Sequence, residues 1–147
     1  MERSLIKYHS NKMEEINQGI KELWAQTYSG DDIKTILIRA EPVEGGGIRK
    51  LFSYKVVYIN KDDRELEMRG RCSLGQKVLS CIVIRIALAE AFGTNCGILA
   101  LDEPTTNLDR NNIQKLAEFL CNLVESRKDS GYFQLIIITH DREFIKA

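Results

Sequence analysis

Two adjacent carboxylates, Asp102 and Glu103, follow directly on the apolar run Ile98-Leu99-Ala100-Leu101. Pro104 then turns the chain, and a third carboxylate, Asp109, stands where the next helix should begin. A short apolar run bounded by turn signals reads as a buried strand of a parallel sheet. Charges at the carboxyl end of such a strand are costly without a partner, because burial disfavours the ionised form. In open α/β sheets that edge is also the ligand crevice. A metal ion on a phosphate would supply the partner; the plainer alternative is that Glu103 and Asp109 only cap and solvate a turn.

A second strand, Gln134–Thr139, ends in the same way, with His140 and Asp141 beyond it. Between the two strands Ile113, Leu116, Ala117, Leu120, Leu123 and Val124 repeat at helical spacing, started by Asp109 or a neighbour and ended at Asp129-Ser130-Gly131. Two strands joined by a helix should deliver Asp102, Glu103 and His140 to one edge of one sheet.

Upstream, Ser73-Leu74-Gly75-Gln76-Lys77 opens a long helix reaching about Phe92, apolar on nearly all sides and therefore expected to be buried between other elements. Its first turn presents free N–H groups, a hydroxyl and the positive end of the helix dipole. Gly75 would let an oxyanion approach the backbone. Taken alone, Ser73 reads more simply as a plain N-cap.

The supporting elements follow. Residues 2–28 hold one glycine and no proline, with Leu5, Tyr8, Met13, Ile16, Ile20, Leu23 and Trp24 on a helical stripe. That stripe fits a helix docked on its own domain, the end of a longer coil, or a partner-binding surface. After the break at Ser29-Gly30-Asp31-Asp32, strands are expected over 35–40, 51–59 and 65–68, giving an antiparallel section. The Pro42–Gly47 segment reads as a linker, not a phosphate loop. Seven basic residues against four acidic ones lie between Arg49 and Arg71, including Lys61 and Arg64. A solvated β-face explains them, and phosphate-backbone contact is the sharper alternative.

The 147 residues carry 21 basic and 21 acidic side chains, so bulk charge points to neither nucleic acid nor membrane. Cys72, Cys81, Cys96 and Cys121 form no C-x-x-C and there are only two histidines, which argues against zinc and for free thiols in a reducing compartment. No run approaches a membrane span and no signal-peptide core follows Met1, so a soluble intracellular protein is expected.

In order, Ser73-Leu74-Gly75-Gln76, the apolar strand with Asp102-Glu103, Leu108-Asp109, and the strand with His140 resemble the second half of an ABC-type ATPase head: signature motif, Walker B, D-loop and switch histidine. The fuller spellings from Arg69 to Leu79 and from Ala100 to Asp109, with the helix over 8–28, resemble the SMC-like ATPase subunit of the eukaryotic MRN double-strand-break repair complex. Only the Pro42–Lys50 loop has no match. The resemblance implies an α/β carboxy-terminal lobe of an ABC/SMC-type P-loop NTPase head over 29–147, with a small antiparallel section, and a coil base over 1–28. It implies that Asp102 holds Mg²⁺ through a water and that Glu103 activates the water attacking ATP. It also implies that His140 senses the γ-phosphate, that Ser73, Leu74, Gly75, Gln76 and Lys77 meet ATP of the opposite head, and that Asp109 crosses the dimer interface.

The partners implied are an amino-terminal half of the same ATPase, a second head, a nuclease subunit docking on Ile16, Ile20, Leu23 and Trp24, and double-stranded DNA. No membrane is involved, and the site of action would be the chromosome, in the nucleus. There is no Gly-Lys dipeptide and hence no phosphate-cradling Walker A loop. In the resembled family that loop lies in the amino-terminal half, beyond a coiled coil and a zinc hook. The expectation is a half-site, inactive when isolated. A non-catalytic interaction module and the ATPase half of another ABC-type protein, such as a transporter, are the alternatives. Against a transporter stand Ser-Leu-Gly-Gln-Lys in place of Ser-Gly-Gly-Gln and the coil-like start.

Overall fold

A computed structural model describes residues 2–43, 51–92, 98–126 and 133–146. The elements run α1 (Glu2–Thr27), β1 (Ile33–Val43), β2 (Leu51–Asn60), β3 (Glu65–Glu67), α2 (Leu74–Phe92), β4 (Ile98–Asp102), α3 (Arg110–Ser126), β5 (Gln134–Ile138) and α4 (Arg142–Lys146). The expected mixture of antiparallel and parallel β-structure is present. β1, β2 and β3 form an antiparallel sheet in that order, and β4 pairs in parallel with β5. The first hairpin extends further than sequence alone suggested: β1 includes Pro42 and Val43, and the rest of the Pro42–Lys50 loop lies outside the described residues. The short α4 was not anticipated.

The amino-terminal helix is docked on its own domain. Ile16, Ile20, Leu23 and Trp24 are exposed by 6% or less and join Ile36, Leu79, Val83, Ile86 and Leu116 in one core. Two details lock the helix in place. The Trp24 indole donates to Ile33 O at 3.2 Å. Asn17 brackets the β1 backbone, donating to Ile38 O at 3.0 Å and accepting from Ile38 N at 2.8 Å. Gly19 faces α2, where a Cβ would make an ordinary van der Waals contact with Ala87 Cβ at 3.7 Å. The expectation that Ile16, Ile20, Leu23 and Trp24 offer contact surface is therefore corrected. The stripe is consumed by β1, α2 and α3, because burying it intramolecularly removes the same apolar area from water with no partner to recruit.

Two further expectations change. The strands β4 and β5 are not buried on both faces. Leu99 and Leu101 point into the core, while Ile98 (61%), Ile136 (40%) and Ile138 (59%) are open. The helix α2 buries Leu79, Ile82, Val83, Ile86 and Ala87, but Cys81 is exposed and Ile84 and Leu88 are only partly covered. Each of these elements has a neighbour on one side and open surface on the other among the described residues. Cys72, Cys81 and Cys121 are free thiols, and Cys96 lies outside the described residues.

Candidate functional site

The carboxyl edge of the parallel pair is built as the sequence required. In register Asp102 lies opposite Ile138, and Glu103 N donates to Ile138 O at 2.8 Å, one hydrogen bond beyond the ladder. That bond stops the chain at Glu103, whose φ of 46° is left-handed. For a non-glycine residue this conformation costs about 1–3 kcal/mol and persists only where the surroundings enforce it. It turns the carboxylate toward the end of β5. There Glu103 Oε1 lies 2.8 Å from His140 Nδ1, while Oε2 is buried with no hydrogen-bond partner among the described residues. The hydrogen bond and then the charge of Glu103 push the His140 pKa above its ordinary value. Asp102 is exposed on the open face of β4, with no ion pair among the described residues.

The donor set at this edge is sparse. The described residues contain no cluster of three or more metal-ligating side chains. A hard cation held by an all-protein cage is therefore not what the edge offers. Mg²⁺ bound by one carboxylate, waters and substrate phosphates needs no more than the exposed Asp102 carboxylate, which has no ion pair among the described residues.

The signature turn forms a second grouping. Ser73 and Gln76 make a reciprocal capping box: Gln76 N donates to Ser73 Oγ at 3.1 Å and Ser73 N donates to Gln76 Oε1 at 3.0 Å. Ser73 is thus the N-cap of α2, and its own hydroxyl proton is still available. The first helical N–H groups, at Leu74 and Gly75, have no intrahelical acceptor by construction. Lys77 N reaches Ser73 O at 3.1 Å.

Gly75 has a reason that sequence reasoning missed. A Cβ there would lie 2.4 Å from Asn107 O. The space it leaves is filled by the backbone of the turn after Glu103, not held open for an oxyanion on that side. Thr106 N to Glu103 O (3.2 Å), Leu108 N to Thr105 O (3.0 Å) and a left-handed Asn107 (φ 62°) shape that turn. Asp109 ends it as the N-cap of α3, accepting from Asn112 N at 2.9 Å and from Asn112 Nδ2 at 2.6 Å. Both of its oxygens are engaged, although the residue is exposed.

The structure therefore brings Glu103 and His140 together, leaves Asp102 on the open face of β4, and packs the Ser73–Gln76 turn against the Asn107–Asp109 turn. No hydrogen bond joins Ser73 to Glu103 or His140 among the described residues. Lys61 and Arg64 sit in the exposed β2–β3 turn, whose backbone is held by Asn60 Oδ1 through Asp62 N (3.0 Å) and Arg64 N (2.9 Å). Other charges of the hairpin are laced across strands, Lys34 with Asp63, Lys55 with Glu41, and Arg39 with Glu65. Exposed pairs of this kind add little stability; of the basic residues between Arg49 and Arg71, Lys55 takes part in them.

One group went unseen in the sequence. Tyr28 donates to Asp32 Oδ1 at 2.5 Å, and Gln76 Nε2 donates to Tyr28 OH at 2.8 Å and to Asp32 Oδ2 at 2.9 Å. Burial, and then the hydrogen bond to Asp32, push the Tyr28 phenol up to about 12. Residues so far from the signature in sequence carry no spacing signal that could have found them.

The comparisons with known proteins agree with this architecture. Residues 47–122 match the model of the SbcC/RAD50-like family, Walker B motif. The chain is 61% identical over 146 residues to the DNA repair protein RAD50 of Dictyostelium discoideum, covering 99% of this chain and 11% of that protein. To RAD50 of Saccharomyces cerevisiae it is 54% identical over 145 residues, covering 99% of this chain and again 11% of the relative. It thus spans about a ninth of the curated relatives it matches. The fold is that of SMC heads: a Pyrococcus yayanosii Smc head with coiled coil and joint superposes with TM-score 0.70 at 17% identity, over 99% of this chain and 25% of the other. A Pyrococcus furiosus Smc head with an extended coiled coil gives 0.63 at 17% identity, over 90% of this chain and 30% of the other. With more than half of its length matched by the family model and the strand-end carboxylates inside that match, the chain belongs to the SbcC/RAD50-like family.

Proposed function

We propose that this chain is the carboxy-terminal half of an ATP-hydrolysing DNA double-strand-break repair protein. In this reading ATP draws two heads together, and their closure clamps double-stranded DNA and gates a nuclease partner on chromosomes in the nucleus. The observation that carries it is Glu103: a strained carboxylate at a strand end, with one oxygen on His140 and the other buried without a partner among the described residues. Strain and an unsatisfied buried acceptor are both costly, and they are retained where a reacting group needs a fixed place.

Phosphoryl transfer asks for positioning and charge stabilisation more than for covalent chemistry. Glu103 orients the attacking water and takes its proton, with the second oxygen free to do so. His140 holds the first oxygen and lies at the edge where a γ-phosphate would arrive. Asp102 is the residue that would hold Mg²⁺, which when bound neutralises phosphate charge. The Ser73 hydroxyl and the Leu74 and Gly75 N–H groups form the donor set offered to ATP on the opposite head, and Asp109 fixes the turn that meets that head. The open face of β4 and β5, with Ile98, Ile136 and Ile138, suits the half that would bring the phosphate-cradling loop.

Glu103→Gln in the complete protein tests this. ATP binding and head closure should persist while hydrolysis falls by about 100-fold or more. Hydrolysis at the unmodified rate would remove Glu103 from the chemistry. A complete protein that bound no ATP would place the chain among non-catalytic interaction modules.

A further inference from the structure

The Gln76 side chain is partly buried and fully engaged by groups of the protein itself. Its Oε1 accepts from Ser73 N, and both protons of its Nε2 are used, one on Tyr28 OH and one on Asp32 Oδ2. Tyr28 OH completes the ring by donating to Asp32 Oδ1. Exchanging the amide oxygen and nitrogen would set donor against donor at Ser73 and acceptor against acceptor at Asp32, so a single orientation is selected.

The segment that supplies Tyr28 and Asp32 is itself firmly held. The Tyr28 ring stacks on buried Trp24 with centroids 4.5 Å apart, and Tyr28 N donates to Trp24 O at 2.9 Å. Lys115 Nζ reaches Tyr28 O at 3.3 Å. Gly30 leaves room for the ring to fold back: a Cβ there would lie 2.4 Å from the Tyr28 hydroxyl. The next residue ties the same segment to the other nucleotide-facing turn, because Ser29 N and Oγ donate to Asn112 Oδ1 at 3.0 and 2.9 Å while Asn112 donates to Asp109.

We propose that the end of α1 is a positioning clasp: Tyr28 and Asp32 hold the Ser73–Gln76 turn through the Gln76 amide, while Ser29 and Asn112 hold the Asp109 turn, so both turns are registered on one helix end. Tyr28, Asp32 and Gln76 are then positioning residues, and the groups left for an anion are the Ser73 hydroxyl and the N–H groups of Leu74 and Gly75. The part of this proposal that concerns ATP rests on the function proposed above; the holding of the turn does not.

Two variants loosen the clasp without touching Ser73. Tyr28→Phe keeps the stacked ring and removes the hydroxyl. Gly30→Ala removes no hydrogen-bonding group and displaces that hydroxyl. In the complete protein without nucleotide, amide hydrogen exchange at Ser73 should accelerate about threefold to tenfold in both, the range expected for one neutral hydrogen bond. Lys77, bonded to a backbone carbonyl, should stay unchanged. Unaltered exchange at Ser73 in both variants would overturn the clasp, whatever the protein does with ATP.

With ATP, the concentration giving half-maximal head association should rise by a similar factor of about three to ten in Tyr28→Phe. Adding Tyr28→Phe to Gln76→Ala should cost nothing more, because the two act as one unit. Effects that multiply in the double variant would show that Tyr28 does not act through Gln76 and would overturn the proposal. An unmodified protein that neither associates nor hydrolyses with ATP would instead count against the proposed function, leaving the exchange result to judge the clasp.

Discussion

His140 Nδ1 lies 2.8 Å from Glu103 Oε1, and that contact decides where the other Glu103 oxygen must go. With its backbone left-handed and one oxygen on the histidine, Glu103 turns Oε2 into a buried spot without a donor among the described residues. Asp102, one residue earlier, faces the opposite way onto the open side of the sheet.

Because the hydrogen bond to Glu103 raises the His140 pKa, the pair is a pH-dependent contact. The protonated form is the one favoured in the fold. Its stabilisation is complete below the unfolded histidine value and is lost as pH rises through the higher folded value. Following the His140 ring nitrogens by NMR should show titration above that of a free histidine. Glu103→Gln should return it toward the ordinary value; a titration identical in both proteins would mean the contact does not form in solution.

Gly75→Ala sets two effects against each other. Helix propensity alone would stabilise α2 by up to about 1 kcal/mol. The new Cβ, 2.4 Å from the Asn107 carbonyl, forces backbone apart, and overpacking of that kind costs about 1–3 kcal/mol. A net loss of stability in denaturant unfolding is expected, with movement of the 105–109 turn. A gain would show that the turn yields freely.

Replacing an apolar side chain should have contrasting consequences at two isoleucines. Ile20 is fully buried, so Ile20→Ala should cost about 2–5 kcal/mol of stability. Ile138 is 59% exposed, and Ile138→Lys should change stability by about 0.5 kcal/mol or less. The lysine should nonetheless disrupt association with an amino-terminal half, read by co-purification. Unchanged association would mean that the open β4–β5 face is not the seat of that half.

The sequence by itself carried the strand-end carboxylates, the histidine at the second strand end, the Ser73 cap and a helix over 2–28, because each rests on local periodicity or on groups adjacent along the chain. It also left three readings of the Ile16–Trp24 stripe open, and only packing chose among them. Periodicity shows that a helix has an apolar face but not what covers it. Tertiary structure decided that β1, α2 and α3 do so.

Tertiary structure also decided the one-sided burial of β4 and β5, the fit of Gly75 against Asn107, and the Tyr28–Asp32–Gln76 ring. These depend on contacts between residues 32 to 48 positions apart, for which no spacing rule exists along the chain. The carboxylates at the end of β4 were legible because a strand end is a local event. The way Glu103 directs one oxygen to His140 and buries the other is not, because it needs the second strand already in register.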